Sequence, residues 1–421
     1  MMMNSMKTAN FRSAISAFAF LTSFALLPLA GCGSDKPTAP AATAADSIKI
    51  VSSLPRTGSA NAQTTSMVNG IKMAIAETNG KIGDTTISYE DWDDASAQKG
   101  NWDPTVEAQN ADKAIADEAV MAYVGTYNSG AAKISMPKLN AAGMVMVSPA
   151  NTAPNLTKAG FGEPNEPAVY RPSGKINYFR VVPTDDVQGA VAADYAKELG
   201  ATKVFVLDDR EVYGKGVSGV FQKHAKEIGL EIVGTDGIDT KASNYKSLIT
   251  KIKQTGADLV YFGGTTQTNA GQIAKDMVAG GLKAKLIVPD GCYEKAFIEA
   301  AGAKALEDRC FITFGGVAAK SLTGKGRDFY LAYLKTYTSE PEGYAVYGYE
   351  AAKVVISAMQ RIHAAGGTIT RASVLAEVGK TKDYTGALGT WSFDANGDTT
   401  NRTMSVNTVR NGEFVMVKVV N

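Results

Sequence analysis

The chain has 421 residues, 45% hydrophobic and 20% charged, an ordinary globular composition at a length that favours two domains over one. Its 43 basic and 42 acidic side chains leave a net charge of +1, which excludes a general nucleic-acid surface, since phosphate binding needs a basic excess. The two histidines, His224 and His363, lie in separate helical stretches, too few and too far apart for a metal centre.

The chain order begins with a targeting pattern. Lys7 and Arg12 are the only charges before Cys32, and the apolar run that follows them is too short for a comfortable membrane span. It ends in Leu29-Ala30-Gly31-Cys32, which resembles a bacterial lipobox. On this reading residues 1–31 are a signal peptide that is removed, Cys32 is lipidated, and residues 32–46, rich in Pro, Ala, Gly and Ser, are a flexible tether. A plain signal peptide and an N-terminal anchor helix are the alternatives. In an exported chain the remaining pair, Cys292 and Cys310, is expected to form a disulfide, with two separate buried thiols as the other reading.

From Ser47 onward the pattern alternates. Strands are expected at 48–54, 86–92, 120–124 and 144–148, with helices after the first at Met67–Ile75, then at 104–117 and 129–141. A proline-rich irregular stretch fills 149–178. The alternation then restarts, with helices at 186–199, 214–228, 243–255, 268–280 and 293–301 between strands at 203–209, 230–234, 258–264, 285–288 and 309–314. Such alternation means parallel sheets covered on both faces. Two passes of comparable length predict an α/β protein of two doubly wound parallel-sheet lobes. The C-terminal tail reads as antiparallel strands turning at Asn396-Gly397 and Asn411-Gly412.

Several motifs have simpler explanations than the chemistry they suggest. Gly214, Gly216 and Gly219 fit a dinucleotide fingerprint, with Asp236 downstream, but six residues separate them from the preceding strand, where the fingerprint needs a tight turn. The stretch 315–321 lacks the glycine before Lys320 that a phosphate loop requires. The Asp394–Asp398 run lacks a closing glutamate, since Ser405 stands there, and reads as a turn and not a calcium loop. Asp91, Asp93 and Asp94 read as a solvated loop end.

One constellation survives. "GTYNSGAAK" at 125–133 leaves a strand and opens a helix, so free amides at the helix start and the Ser129 hydroxyl can face one anionic group. The next strand ends in "PANTAP", delivering Thr152 beside it. Neither loop carries Lys or Arg, which suits a single carboxylate better than a phosphate. Asp185, Tyr213 and Asp290 follow strands of the second pass, and carboxylates opposite a carboxylate-binding loop fit an ammonium. The composite is a site for a zwitterion.

The pieces "GIKMAIAETNG", "YVGTYNSGAA", "VSPANTAPNLT", "YFRVVPTDDVQG", "YGKG", "YFGG" and "VPDG", in that order and spacing, resemble the leucine/isoleucine/valine-type solute-binding proteins of branched-chain amino acid ABC importers. The resemblance covers nearly all of residues 47–421. It implies a type I periplasmic-binding-protein fold: two lobes joined by three hinge crossovers, lobe one from 47–182 plus about 317–388, lobe two from 183–316 plus about 389–421. It implies carboxylate contacts from Ser129, Thr152 and the Ala150 backbone, ammonium contacts from Asp185 and Asp290, and a cleft-closing Tyr213. Asn128 belongs to the same loop. Gln63 and Thr265 stand where typical members carry aromatics near the side-chain pocket, and Asp290 where glutamate is common, so the pocket for the guest's side chain is changed.

The function expected from this is capture of an amino acid without catalysis and without a cofactor, and delivery to a permease and its ATPase by a lipid-anchored protein on the outer face of the cytoplasmic membrane. The alternatives are the same fold binding an amide, urea or aromatic acid, a sensory ligand-binding protein, and an oxidoreductase using Gly214–Gly219.

Overall fold

The computed structural model describes residues 47–421, so the lipobox, Cys32 and the tether lie outside the described residues. β1 (Ser47–Leu54) is buried on both faces: Ile48 and Ile50 join one core, Val51 another. α1 (Asn61–Ala76) follows, with Met67, Ile71 and Ala74 fully buried. β2 (Lys81–Ile82) turns back into β3 (Thr85–Asp93), and β4 (Ala95–Ser96) with β5 (Asn101–Trp102) makes a small ribbon. α2 (Pro104–Ala116) starts cleanly because Asp103 caps it, accepting from the Thr105 N–H at 2.9 Å, and Pro104 has no N–H to orphan. β6 (Val120–Gly125), α3 (Ser129–Ala141), β7 (Val145–Ser148) and β8 (Tyr178–Arg180) complete a six-stranded sheet of order β2-β3-β1-β6-β7-β8. Only β2 runs antiparallel in it.

The second pass begins with α4 (Asp185–Glu198) and β9 (Lys203–Asp208). α5 (Val212–Glu227), β10 (Glu231–Gly237), α6 (Lys246–Gln254), β11 (Leu259–Gly263), α7 (Ala270–Ala279) and β12 (Lys285–Val288) follow. α8 (Lys295–Ala301), α9 (Ala303–Leu306) and β13 (Cys310–Gly315) end it. The chain then returns to the first sheet through α10 (Lys325–Tyr337), α11 (Ala345–Ala364) and α12 (Arg371–Val378), with the short hairpin of β14 (Tyr384–Gly386) and β15 (Gly389–Trp391). α11 packs along α1, and α12 against β6 and β7. The sequence pattern had assigned no elements to this segment. α11 buries residues around most of its circumference, so it shows little amphipathic period.

The tail crosses once more, and β16 (Met404–Arg410) and β17 (Glu413–Val420) finish a seven-stranded sheet of order β10-β9-β11-β12-β13-β16-β17. The last two strands are antiparallel and are joined at Asn411-Gly412, both with positive φ (51° and 77°), as a two-residue turn requires. The two lobes are therefore joined by three crossings, after β8, after β13 and after β15. The first and third are tied by a buried ion pair: Arg180 donates from Nε to Asp398 at 2.6 Å, and from Nη1 to the Asn151 and Ala153 carbonyls at 3.1 and 2.8 Å. Thr157 adds a bond to Asp398 at 2.9 Å. The Asp394–Asp398 run is thus a turn whose last carboxylate serves the hinge.

The expected disulfide is absent: Cys292 and Cys310 are free, buried thiols. The register explains it. Cys310 opens β13 opposite Leu286, whereas Cys292 lies beyond Val288, past the carboxyl end of the neighbouring parallel strand.

The close approach of α1 and α11 rests on two glycines. A Cβ at Gly70 would lie 2.2 Å from the Ala345 carbonyl oxygen, and one at Gly348 would lie 2.4 Å from that of Met67. Backbone cannot yield as a side chain would, so Gly70→Ala and Gly348→Ala should each destabilise by roughly 1–3 kcal/mol. Urea or thermal unfolding checks this, and unchanged midpoints in both variants contradict it.

Candidate functional site

The loops that leave the carboxyl ends of both parallel sheets face one another. β6 and β7 pair in parallel, Val124 opposite Val147, so the loops 126–128 and 149–153 emerge side by side. Two buried polar side chains stitch them. Ser148 Oγ accepts from the Ala150 and Asn151 N–H groups at 3.1 and 2.8 Å and donates to the Thr126 carbonyl at 3.1 Å. Asn151 Nδ2 donates to the Tyr127 carbonyl at 3.0 Å. Sequence reading had missed both; only their burial marks them. Asn128 precedes α3 and Ser129 opens it, with the start of the helix pressed against Trp102 so closely that a Cβ at Gly130 would meet the indole at 2.5 Å. The start of α3 is the positive end of its helix dipole, and Asn128 and Ser129 at that end line the cavity between the lobes.

From the second lobe, Tyr213 on α5, Thr265 after β11, and Asp290 and Gly291 after β12 reach the same space. Tyr213 donates its hydroxyl to Asp290 Oδ1 at 2.5 Å. Tyr344, at the start of α11, donates to Asp290 Oδ2 and stands edge-on to Tyr127, ring centroids 6.2 Å apart. Tyr344 lies in the segment with no readable pattern, and no sequence signal had marked it. Burial pushes the Asp290 carboxyl up to about 6, against the pull of the Tyr213 hydrogen bond.

These groups enclose a small cavity, about 20 Å³, lined by Tyr127, Asn128, Ser129, Ala150, Thr152, Tyr213, Thr265, Asp290, Gly291 and Tyr344. Neither Lys nor Arg lines it, and its first-lobe wall combines the Ser129 and Thr152 hydroxyls, the Asn128 amide and backbone with the rings of Tyr127 and Tyr344 and the Ala150 methyl. Two expected site residues do not line it. Gln63 is fully buried, and both ends of its amide are spent on backbone: it donates to the Tyr293 carbonyl and accepts from the Tyr344 N–H, each at 3.3 Å. Both ends of this buried amide are thus held by backbone, and it stands off the cavity wall. Asp185 is fully buried at the start of α4, where its N–H donates to the Thr152 carbonyl at 2.9 Å. Neither of its carboxylate oxygens has a hydrogen-bond partner among the described residues. Burial first, and then the charge of Asp290, push its carboxyl well above the usual range.

Other acids are buried away from the cavity wall. Asp209, under Gly214, is pushed up to about 7 by burial, and Glu294 to about 8. Both Glu294 oxygens are unpaired. Asp94 departs from the solvated loop end that had been expected: Asp91 pairs with Arg56 at 2.9 Å, but Asp94 is fully buried and unpaired beside Glu107, which is pushed up to about 7. Gly214 lies inside α5, not at a strand end, and a Cβ there would meet Asp209 at 2.1 Å, so its role is close packing. Among the described residues no cluster of three or more His, Cys, Asp or Glu could hold a metal ion.

Three comparisons bear on this geometry. Residues 47–413 match the family described as periplasmic binding protein. "Leu/Ile/Val-binding protein homolog 2" of Brucella abortus is 30% identical over 356 residues, 82% of this chain and 85% of its own. The crystal structure of a leucine binding protein, LivK, from Thermotoga maritima superposes with a TM-score of 0.76 at 26% identity, over 89% of this chain and 99% of that one. The same coverage and TM-score, at 25% identity, hold for LivJ from Streptococcus pneumoniae, solved in complex with isoleucine.

The buried acids fix a pH dependence. Asp290, Asp209, Glu107 and Glu294 hold protons to about 6, 7, 7 and 8, while unfolded carboxyls release them near 4. A raised folded-state value contributes stability that is complete below the unfolded value and lost as pH rises through the folded one. The ligand-free protein should therefore melt several degrees lower at pH 9 than at pH 5. Acids held down by cations, such as Glu90 beside Lys49 at about 2, titrate below this window. Thermal scans across pH check the slope, which Asp290→Asn should flatten; a rising midpoint contradicts it.

Proposed function

The chain belongs to the periplasmic binding protein family, in the leucine/isoleucine/valine-type branch of ABC-transporter solute-binding proteins, and from that premise we propose that it clasps the zwitterion of an amino acid between its lobes. Such proteins bind solutes outside the cytoplasm and catalyse nothing. The guest's carboxylate is received by the start of α3, the Ser129 and Thr152 hydroxyls and the Ala150 backbone. Its ammonium is received by Asp290, with Tyr213 and Tyr344 closing over it and the buried charge of Asp185 acting from off the cavity wall.

One observation carries this reading: Asp290 is a buried carboxylate on the cavity wall, close enough to the buried Asp185 for its charge to act on it, and neither Lys nor Arg lines the cavity. A cation is what such a pair lacks, and a carboxylate on the far side of the same small molecule is what the uncharged donors of the first lobe suit. Charge-assisted hydrogen bonds at about 1.5–3 kcal/mol each can supply much of the roughly 8 kcal/mol of micromolar binding. They do so only in a cleft emptied of water. The guest touches both lobes only when the cleft is closed, so binding shifts an open–closed equilibrium that a permease can read. Delivery to a permease and its ATPase, and anchoring through lipidated Cys32, complete the proposal.

Ser129→Ala should weaken amino-acid binding roughly tenfold to a hundredfold, the equivalent of one charge-assisted bond, and Asp290→Asn at least as much, with both variants still folded. Isothermal titration with a panel of amino acids reads this. Wild-type affinity in both variants removes the site from this cleft. For the anchor, Cys32→Ser should move the protein from the membrane fraction to the soluble one; continued membrane association refutes lipidation at that residue.

A further inference from the structure

We infer that the guest is a 2-amino acid with a very small side chain, of the size found in glycine, alanine, serine or cysteine, and that the Tyr344 ring sets that limit. This rests on the zwitterion reading above and narrows it to a size class.

The space beyond the guest's charged ends is closed by aromatic rings. Tyr127, Tyr213 and Tyr344 all line the cavity, and what they leave is about 20 Å³, room for about one water-sized group. Tyr213 belongs to the second lobe and parts from the first as the cleft opens. Tyr127 and Tyr344 both belong to the first lobe and stand edge-on, ring centroids 6.2 Å apart and planes at 82°. Parting the lobes makes room between them for an ammonium and a carboxylate. It does not separate those two rings.

Tyr344 has nowhere to retreat. It is 1% exposed, with the Phe314 ring at 5.4 Å and the Tyr347 ring at 5.5 Å behind it. Phe314 in turn stacks on Tyr293 at 4.4 Å, and Tyr347 donates its hydroxyl to the Gly315 carbonyl at 2.5 Å. Phe314 and Gly315 end β13, at the second crossing between the lobes, and two hinged bodies move least against each other at their hinge. The Tyr344 N–H is held by Gln63, and its hydroxyl reaches across the cleft to Asp290 Oδ2. The ring is thus fixed through its backbone, its packing and its hydroxyl, on the same carboxylate that receives the ammonium. The side chain of a 2-amino acid leaves the carbon next to its ammonium, so it starts beside Asp290 and therefore beside the Tyr344 phenol.

The second lobe offers no extra depth. Thr265 presses on Gly291 so closely that a Cβ there would meet its methyl at 2.7 Å, and the Thr265 hydroxyl is spent on the Thr268 N–H at 3.3 Å. Close-packed walls yield little, and added methylenes force side chains off their rotamers. A branched aliphatic side chain brings several carbons against these braced rings, a loss of roughly tenfold to a hundredfold in affinity. A hydrogen, methyl or hydroxymethyl brings almost none.

The test is isothermal titration of the wild-type protein, Tyr344→Ala and Tyr344→Phe, each with the standard amino acids. In the wild type the tightest guest should be glycine, alanine, serine or cysteine, and it should bind ten or more times tighter than leucine. Tyr344→Ala, which opens the wall, should shift that ratio at least tenfold in favour of leucine. Tyr344→Phe removes the hydroxyl and keeps the ring, so it should keep the wild-type order. The size limit is overturned if an amino acid with a larger side chain binds tightest in the wild type, or if leucine binds within tenfold of the best small guest. It is equally overturned if Tyr344→Ala shifts the ratio less than tenfold, or if Tyr344→Phe reverses the order; the zwitterion reading survives each of these results. If no amino acid binds, the zwitterion reading itself falls and takes the size limit with it. Should Tyr344→Ala fail to fold, the wild-type order and Tyr344→Phe decide.

Discussion

A carboxylate taken out of water must find a cation, a set of donors or a proton. The molecule meets that demand in two ways at two places. At the hinge, Asp398 is fully compensated: Arg180 and Thr157 bond it, and the rest of the guanidinium is spent on the Asn151 and Ala153 carbonyls. In the cleft, Asp185 has no partner, and Asp290 has tyrosine hydroxyls in place of a cation. The first arrangement is a finished joint. The second has donors but no cation, since neither Lys nor Arg lines the cavity wall, and its carboxyls are pushed toward the protonated form.

The two places are mechanically connected. The carbonyls that Arg180 holds belong to Asn151 and Ala153, on either side of Thr152, so a loop that faces the cavity is bonded to the crossing that joins the lobes. Asp185 opens α4 just past that crossing, and its N–H is bonded to the Thr152 carbonyl. The loop that carries Thr152 is therefore tied to the hinge at both Arg180 and Asp185. Gln63 gives a third link, tying α1 to Tyr293 of the second lobe and to Tyr344. These bonds are buried and directional, which favours discrete arrangements over continuous flexing.

Much of the scaffold could be read along the chain. α3 begins at Ser129 as its spacing predicts, and the strands that deliver Thr152, Thr265 and Asp290 end within a residue or two of the expected positions. Those strands are short apolar runs between turn residues, the strongest local signal a parallel sheet gives. Where reading failed, the reason was geometry across distant segments. α11 is buried around most of its surface and shows little period, so Tyr344 at its start went unmarked. Cys292 and Cys310 looked like a pair until parallel register put them at opposite ends of neighbouring strands. Asp94 sits in an acidic run that reads as solvent-facing, yet it is buried beside Glu107.

By itself the sequence determined the two α/β lobes, the uncharged donor loops at the ends of β6 and β7, and the acids that face them, because strand ends and helix starts are written in local periodicity and turn chemistry. Only the tertiary structure decided which polar groups are spent and which are free. Gln63 is consumed by backbone while Asp185, Tyr127 and Glu294 are left without partners. Whether a buried group is satisfied depends on atoms hundreds of residues away, and no local pattern records that.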